Sequence, residues 1–184
     1  MTDSAPKSRL PRTGTLVLIA VVLLISGGAL MVWLPYHRNQ TVIAEVRMLG
    51  GETQSQIIRP FWIPDAVDDE YLGAFERVLT VDLAGTQVSD AGLKHLQGLT
   101  KLYVLSLGTT HVSDVELEHF RELTNLYDLR LSNTQVSDAG LEHLQGLTNL
   151  EVLDLDNTRV TQAGIDKLQK ALPDCRIIWT PPAE

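Results

Sequence analysis

The chain has 184 residues, and 44% of them are hydrophobic. It contains one cysteine, Cys175, and has a formal net charge of −8. Residues 1–67 hold six Lys and Arg against four Asp and Glu, a net of +2, whereas residues 68–184 hold nine against nineteen, a net of −10. The acidic part repels phosphate backbones, so nucleic acid is excluded as an expected partner, and a single cysteine excludes an intramolecular disulfide and a multi-cysteine metal site.

An uncharged apolar run, "LVLIAVVLLISGGALMVWL", occupies residues 16–34. As a helix it would be about 28 Å long, close to the roughly 30 Å hydrocarbon core of a bilayer. Trp33 and Tyr36 at its far end suit the headgroup level, and Pro35 stops the helix. The sequence therefore predicts a cytoplasmic tail over residues 1–14 and one transmembrane helix over residues 15–36.

The cations Lys7, Arg9 and Arg12 precede this run and favour a cytoplasmic N-terminus. We therefore expect an uncleaved signal-anchor, a single-pass membrane protein and an extracytoplasmic position for everything that follows. The alternative is a removable signal peptide, cut after Ala29, that would release a secreted soluble protein. The continuation of the apolar run as "LMVWL" past that site favours the anchor.

Residues 37–66 are expected to form a juxtamembrane helix and a linker. The segment "TVIAEVRMLGG" has an apolar stripe at Val42, Val46 and Leu49 before two glycines, which predicts a short helix. The following "ETQSQIIRPFWIPD" has the composition of a linker, but the triplet "FWI" at residues 61–63 is too apolar to remain in water. We expect the triplet to dock on the N-terminal cap of the next domain.

Residues 67–179 are organised by a repeat of 24 residues. The segments "TQVSDAGLKHLQGLT" at 86–100 and "TQVSDAGLEHLQGLT" at 134–148 differ at one letter in fifteen. A looser copy, "THVSDVELEHFRELT", occupies residues 110–124, and a fourth, "TRVTQAGIDKLQKAL", begins at Thr158. The constant phase indicates that every copy occupies the same local environment.

The third unit, "LTNLYDLRLSNTQVSDAGLEHLQG", indicates one strand and one helix. Leu129 and Leu131 flank Arg130, an alternation typical of a short strand with one buried face. Ser137 stands where a helix N-cap belongs, and Asp138 places a negative charge in the first turn. Leucines at spacings of three then predict a short amphipathic helix; they are Leu141, Leu144 and Leu147. Such a unit cannot close a core alone, so the units must stack and their strands must form a parallel sheet.

The letters "LTNLYDLRLSNTQVSDAGLEHL" resemble the leucine-rich repeat, in a variant similar to the ribonuclease-inhibitor-like and cysteine-containing subclasses. The likeness extends over Val67–Trp179, and the N-terminal segment also resembles that of bacterial membrane-anchored leucine-rich repeat proteins. The resemblance implies an α/β leucine-rich repeat solenoid, a short curved arc of four to five 24-residue strand–helix units preceded by one transmembrane helix. It also implies a concave strand face that binds partners, usually protein, with no catalysis and no cofactor.

Threonine recurs where many leucine-rich repeats carry asparagine, and we expect each hydroxyl to bond the turn backbone of the adjacent unit. These threonines are Thr86, Thr110, Thr134 and Thr158. At the ends of the array, "VDDEYLGAFERV" over residues 67–78 is expected to supply the first helix, and "LPDCRIIW" over residues 172–179 a last strand that covers the core. Residues 180–184 are expected to be a tail.

The concave face contains the candidate binding site. Strands lie near 4.8 Å apart, so Tyr103 and Tyr127 should be neighbours, with small and charged side chains around them. Aromatic groups in such a setting are typical of recognition patches, although they would also serve simply to cover the sheet. The candidate partner-binding residues are Tyr103, Tyr127, Val104, Asp128, Arg130, Val152 and Asp154.

No catalytic or metal site is expected. His95, His119 and His143 recur in one helical column, but packed helices lie about 8–10 Å apart, too far for zinc–nitrogen bonds near 2.1 Å. We expect a solvated helix position instead. Asp128 and Asp154 are expected to pair with Arg130 rather than to bind calcium, which needs six to eight converging oxygens.

The expected function is therefore that of a non-enzymatic, membrane-anchored module that binds a protein or another macromolecule. The alternative is a structural envelope protein that self-associates or contacts a cell-wall polymer, because regular repeats with exposed ends are suited to stacking.

Overall fold

The computed structural model describes residues 39–58 and 76–181. The predicted transmembrane helix, the triplet at 61–63 and residues 67–75 of the predicted cap helix lie outside these ranges. Within them, every helix is too short or too polar to cross a bilayer.

The described strands form one sheet of six, arranged in chain order. The five from β2 to β6 are parallel, as the repeat predicts, whereas β1 runs antiparallel to β2. Residues 24 apart pair across the sheet, so Val104 faces Asp128 and Asp128 faces Val152. The strands are β1 (Glu52–Ile57), β2 (Glu76–Asp82), β3 (Val104–Ser106), β4 (Asp128–Arg130), β5 (Val152–Asp154) and β6 (Arg176–Ile178).

Helical segments cover the other side of the sheet and are short. They are α1 (residues 39–48), α2 (Asp90–Leu96), a 3-10 helix (Glu116–Phe120), α3 (Asp138–Leu141) and α4 (Gln162–Ala171). After α3 the chain continues in turns, in which the amide of Leu144 donates to Leu141 and that of Leu147 to Leu144, at 3.1 and 3.0 Å. The spacing of three between the leucines therefore follows from hydrogen bonds that join residues three apart. Leu141, Leu144 and Leu147 are all buried.

The N-terminal cap differs from the predicted linker. Residues 52–57 form β1, which pairs with β2 with a bulge between Gln54 and Ser55, so the linker prediction is wrong for this segment. The short helix predicted from Thr41 is confirmed by α1, and Val42 and Val46 of its apolar stripe are buried in the core. The helix predicted over residues 67–78 is also wrong at its end, because residues 76–78 belong to β2.

The C-terminal cap confirms the predicted last strand. Strand β6 pairs with β5, and Leu172 and Cys175 are buried behind it. The indole nitrogen of Trp179 donates to the carbonyl of Val160 at 3.1 Å, which ties the strand to the fourth unit. Burial raises the pKa of Cys175 to about 11, so the thiol stays protonated near neutrality and packs as a small apolar group.

The repeated threonines bond within their own unit, so the predicted bond to the adjacent unit is wrong. Each hydroxyl donates to the carbonyl three residues earlier, as from Thr110 to Leu107 and from Thr134 to Leu131, both at 2.6 Å. The chain turns between the two partners, which brings that carbonyl within reach of the hydroxyl.

An aspartate provides the link between units instead. The carboxylate of Asp114 accepts both the amide and the hydroxyl of Ser137, at 2.7 and 2.6 Å. Asp138 accepts the same two groups of Thr161, at 2.8 and 2.6 Å. Ser137 is also the predicted N-cap, since its oxygen accepts the amide of Ala139. We call this carboxylate contact, from one unit to the N-cap residue of the next, the interunit clamp.

The second unit replaces the clamp with a cap of its own. Where the third and fourth units have glycine, this unit has Glu116, whose carboxylate accepts the amide and hydroxyl of Ser113 at 2.8 and 2.7 Å. Asp90, the aspartate of the first unit, is thereby released and contacts His119 at 2.9 Å and Lys94 at 3.0 Å. These hydrogen bonds, first from His119 and then from Lys94, hold the pKa of Asp90 below its usual value.

One turn position in each unit is left-handed, and its residue type predicts a stability difference. The φ angles there are 69° at Gly85, 57° at Thr109, 58° at Asn133 and 53° at Asn157. Threonine is β-branched and suits this region poorly, whereas asparagine tolerates it. We expect Thr109→Asn to raise the free energy of unfolding by about 1 kcal/mol, measured by urea denaturation of the full chain.

The reverse change at Asn157 is the matched control. Asn157→Thr should lower the free energy of unfolding by more than Thr109→Asn raises it, because it also removes the 2.7 Å hydrogen bond to Asn133. A loss of stability in the Thr109 variant would contradict the assignment of strain to this position.

Candidate functional site

The candidate site is built on a row of four residues that crosses the sheet, one from each unit: Leu79, Tyr103, Tyr127 and Glu151. Backbone hydrogen bonds hold the row in register, with each amide donating to the carbonyl of the preceding member. The three donor–acceptor distances are 2.8, 2.9 and 2.9 Å. The predicted neighbours Tyr103 and Tyr127 are therefore neighbours in the structure.

The two tyrosine rings are stacked. Their centroids lie 4.7 Å apart and their planes differ by 12°. The strand spacing imposes this separation, since equivalent positions on parallel strands are near 4.8 Å apart. Tyr103 remains 48% exposed, so the stack presents an aromatic surface to solvent.

Glu151 extends the row with a carboxylate. Hydrogen bonding to Glu151, followed by the negative charge of this carboxylate, raises the pKa of Tyr127. The phenol of Tyr127 is therefore neutral at physiological pH.

The row lines an open groove of about 730 Å³, which we call the tyrosine groove. Ile58, the residue after β1, also lines the groove, as does Asp174 in the segment before β6. Lys101, Asn125 and Asn149 form part of the wall. The groove therefore combines aromatic, aliphatic, amide and charged groups, which is the composition of a recognition site rather than of a buried core.

The two asparagines of the wall are held by the backbone. The side-chain nitrogen of Asn125 donates to the carbonyl of Thr100, and that of Asn149 to the carbonyl of Thr124, each at 2.6 Å. Each amide thus links one unit to the preceding one and is fixed in place at the groove.

The other predicted site residues lie on strands β3 to β5 but do not line the groove. Val104, Asp128 and Val152 pair in one column, and Arg130 and Asp154 pair in the next, as predicted. Arg130 Nη2 lies 2.8 Å from Asp128 Oδ2, and this contact raises the pKa of Arg130. The predicted pairing with Asp154 is not formed, since Asp154 Oδ1 accepts the amide of Asp156 at 3.1 Å instead.

Sequence reasoning missed the groove residues outside the strands. Asn125 and Asn149 gave a usable signal, because both follow threonine at the same place in the repeat, two residues before the row. Ile58 and Asp174 gave none, since they belong to the atypical ends of the array.

The histidine column has a different partner in each unit. His95 Nε2 lies 3.5 Å from a carboxylate oxygen of Glu45 in α1, His119 contacts Asp90, and His143 Nδ1 accepts from Arg121 Nε at 2.9 Å. The side chain of His119 is only 14% exposed, so the expected solvated position is wrong for this residue. Over residues 39–58 and 76–181, no group of three or more His, Cys, Asp or Glu side chains is arranged to hold a metal ion.

Comparison with known proteins gives a family match over part of the chain. Residues 100–160 match the family model described as leucine rich repeat. No curated protein matches the sequence.

Several solved structures resemble the chain over part of their length. An internalin from Listeria monocytogenes is 26% identical over 56% of this chain and 28% of its own, with a TM-score of 0.46. Internalin C2 from the same organism is 27% identical over 47% and 36%, with a TM-score of 0.41. A leucine-rich repeat protein from Leptospira interrogans is 26% identical over 46% and 21%, with a TM-score of 0.39. The chain therefore spans well under half the length of each of these proteins.

Proposed function

We propose that this chain, which matches the leucine rich repeat family model over residues 100–160, is a non-catalytic module that binds a protein partner through its concave strand face, at the tyrosine groove. The observation that carries the proposal is the exposed stack of Tyr103 and Tyr127. Burying an aromatic ring provides a large contact area at a low cost in side-chain entropy, and tyrosine is enriched at the energetic centres of interfaces. The side-chain amides of Asn125 and Asn149, which are fixed at the wall, would favour partners that place hydrogen-bonding groups beside their apolar ones.

The apolar run near the N-terminus supports a membrane location for this module. We propose that residues 15–36 anchor it as a single-pass membrane protein, with residues 1–14 in the cytoplasm and the repeats on the other side of the membrane. A membrane anchor would bring several copies together and would increase the avidity of a small binding face.

Proximity crosslinking from native membranes tests the proposal. The wild-type chain is compared with a Tyr103→Ala, Tyr127→Ala double variant whose circular dichroism spectrum shows that it is folded. We expect a specific partner to crosslink to the wild type and the yield to fall by at least about tenfold in the variant, which corresponds to 1.4 kcal/mol.

The control variant is Val115→Ala, which truncates a side chain that is 67% exposed near the 3-10 helix, away from the groove. It should crosslink like the wild type. If the tyrosine variant captures the same proteins as the wild type, the stack merely covers the sheet and the proposal is wrong. Capture of copies of this chain alone would favour the structural alternative, for which Ile178, partly exposed on the edge strand β6, offers a contact surface.

A further inference from the structure

At one end of the row, the tyrosine groove is lined by two apolar groups. Tyr103 stacks on Tyr127 with one ring face, so its other face is directed along the row toward Leu79. Leu79 is half-buried and precedes Tyr103 in the row. Leu79 and the ring face of Tyr103 that is not stacked form a seat for an aliphatic side chain.

The other end is acidic. Glu151 follows Tyr127 in the row, Asp174 lies beyond it, and both are exposed. Among the residues that the structure describes, neither carboxylate forms a salt bridge. A cation placed here would meet two carboxylates and the neighbouring Tyr127 ring, a combination that suits guanidinium and ammonium groups.

The charged residues are distributed unequally between the two ends of the groove. Lys101, the only basic residue among its described lining residues, belongs to the same unit as Tyr103. It therefore lies about two strand spacings, or roughly 10 Å, from Glu151. Arg176, the first residue of β6, does not line the groove. Its positive charge lowers the pKa of Tyr127, but this effect is smaller than the opposite effect of Glu151. Among the described lining residues, the cation therefore lies in the unit of Tyr103, and the two carboxylates lie at the far end.

The length of the row sets the spacing of a ligand. Leu79 and Glu151 are three strands apart, or about 14 Å, and an extended peptide advances about 3.3–3.6 Å per residue. From this geometry we propose that the groove binds an extended peptide segment of the partner that carries an aliphatic side chain and, about four residues away, an arginine or lysine. The aliphatic side chain packs at Leu79 and Tyr103, and the cation binds at Glu151. This inference rests on the proposed function and specifies the chemistry of the partner.

Fluorescence anisotropy with defined peptides tests the inference on the full chain. The probe is fluorescein-Gly-Leu-Gly-Ser-Gly-Arg-Gly, in which leucine and arginine are four residues apart. Two comparison peptides replace arginine with glutamate or place leucine and arginine side by side. We expect both comparison peptides to bind at least about fivefold more weakly than the probe, because neither can make the aliphatic and the ionic contact at the same time.

Charge reversal at the acidic end provides the second readout. The Glu151→Lys variant should prefer the glutamate peptide over the arginine probe, which reverses the order seen with the wild type. Glu118→Lys makes the same change of charge at an exposed site on the helical side and should leave the order unchanged. Circular dichroism establishes that both variants are folded.

The outcomes separate this inference from the proposed function. Equal binding of the three peptides, no binding of any of them, or an unchanged preference in Glu151→Lys overturns the peptide inference. If crosslinking to a native partner still depends on the tyrosines in that case, the proposed function stands with a ligand of different chemistry. If crosslinking is independent of the tyrosines, the proposed function fails as well.

Discussion

Asp114→Ala is expected to lower the free energy of unfolding by about 2–3 kcal/mol. The substitution removes the carboxylate that accepts both the amide and the hydroxyl of Ser137, at 2.7 and 2.6 Å. It leaves a partly buried amide at the start of α3 without its charged acceptor, and it disconnects the second unit from the third. Urea denaturation followed by circular dichroism measures the loss.

Asp90→Ala is the matched control, because it removes the equivalent aspartate of the first unit. Its carboxylate contacts the side chains of His119 and Lys94 at an exposed position, while Glu116 caps the next unit. The loss of stability should therefore be a small fraction of that for Asp114→Ala. Equal losses for the two variants would show that the interunit clamp contributes no more than a surface ion pair.

Gly140→Ala is expected to lower the free energy of unfolding by about 1–3 kcal/mol, although alanine is the better helix former. A methyl group at this position would lie 2.4 Å from Asp114 Oδ1 and 2.9 Å from Leu117 Cδ1. The clamp therefore needs a residue without a side chain in the first turn of α3. Thermal or urea unfolding of the variant provides the measurement.

Gly146→Ala, in the same unit, should behave in the opposite way. A methyl group there would meet no atom within 4 Å. The reduced freedom of the unfolded chain should raise the free energy of unfolding by about 0.4–1 kcal/mol. A destabilised Gly146 variant, or a Gly140 variant as stable as the wild type, would refute the explanation from crowding.

The repeat itself carried most of the fold prediction. Alternation at Leu129 and Leu131 identified a strand, and the unbroken period of 24 residues placed equivalent strands side by side. A local pattern was sufficient because every unit packs against a copy of itself. The stacked tyrosines could be predicted for the same reason, since their separation follows from the strand spacing.

Features that depend on contacts between unlike segments could not be predicted. The polar segment "ETQSQI" has no apolar alternation, and it forms β1 through its pairing with β2. The groove combines the row with Ile58 and Asp174 from the two ends of the array, where the period gives no information. The clamp does leave a signal in the sequence, the joint recurrence of aspartate and glycine in "VSDAG", but the helix dipole of its own unit accounts for that aspartate equally well.

The interunit clamp also determines how an array of this kind can grow by gene duplication. The third unit contains both an N-cap hydroxyl that receives a clamp and an aspartate that makes the next one, so an extra copy of it would join its neighbours on both sides. The fourth unit has Gln162 in place of the aspartate, and its side chain donates to Asp166 within its own helix at 2.8 Å. A tandem copy of that unit would leave an unclamped junction. Tandem duplication of the third unit would therefore preserve every clamp, whereas the fourth unit is suited only to the C-terminal position of the array.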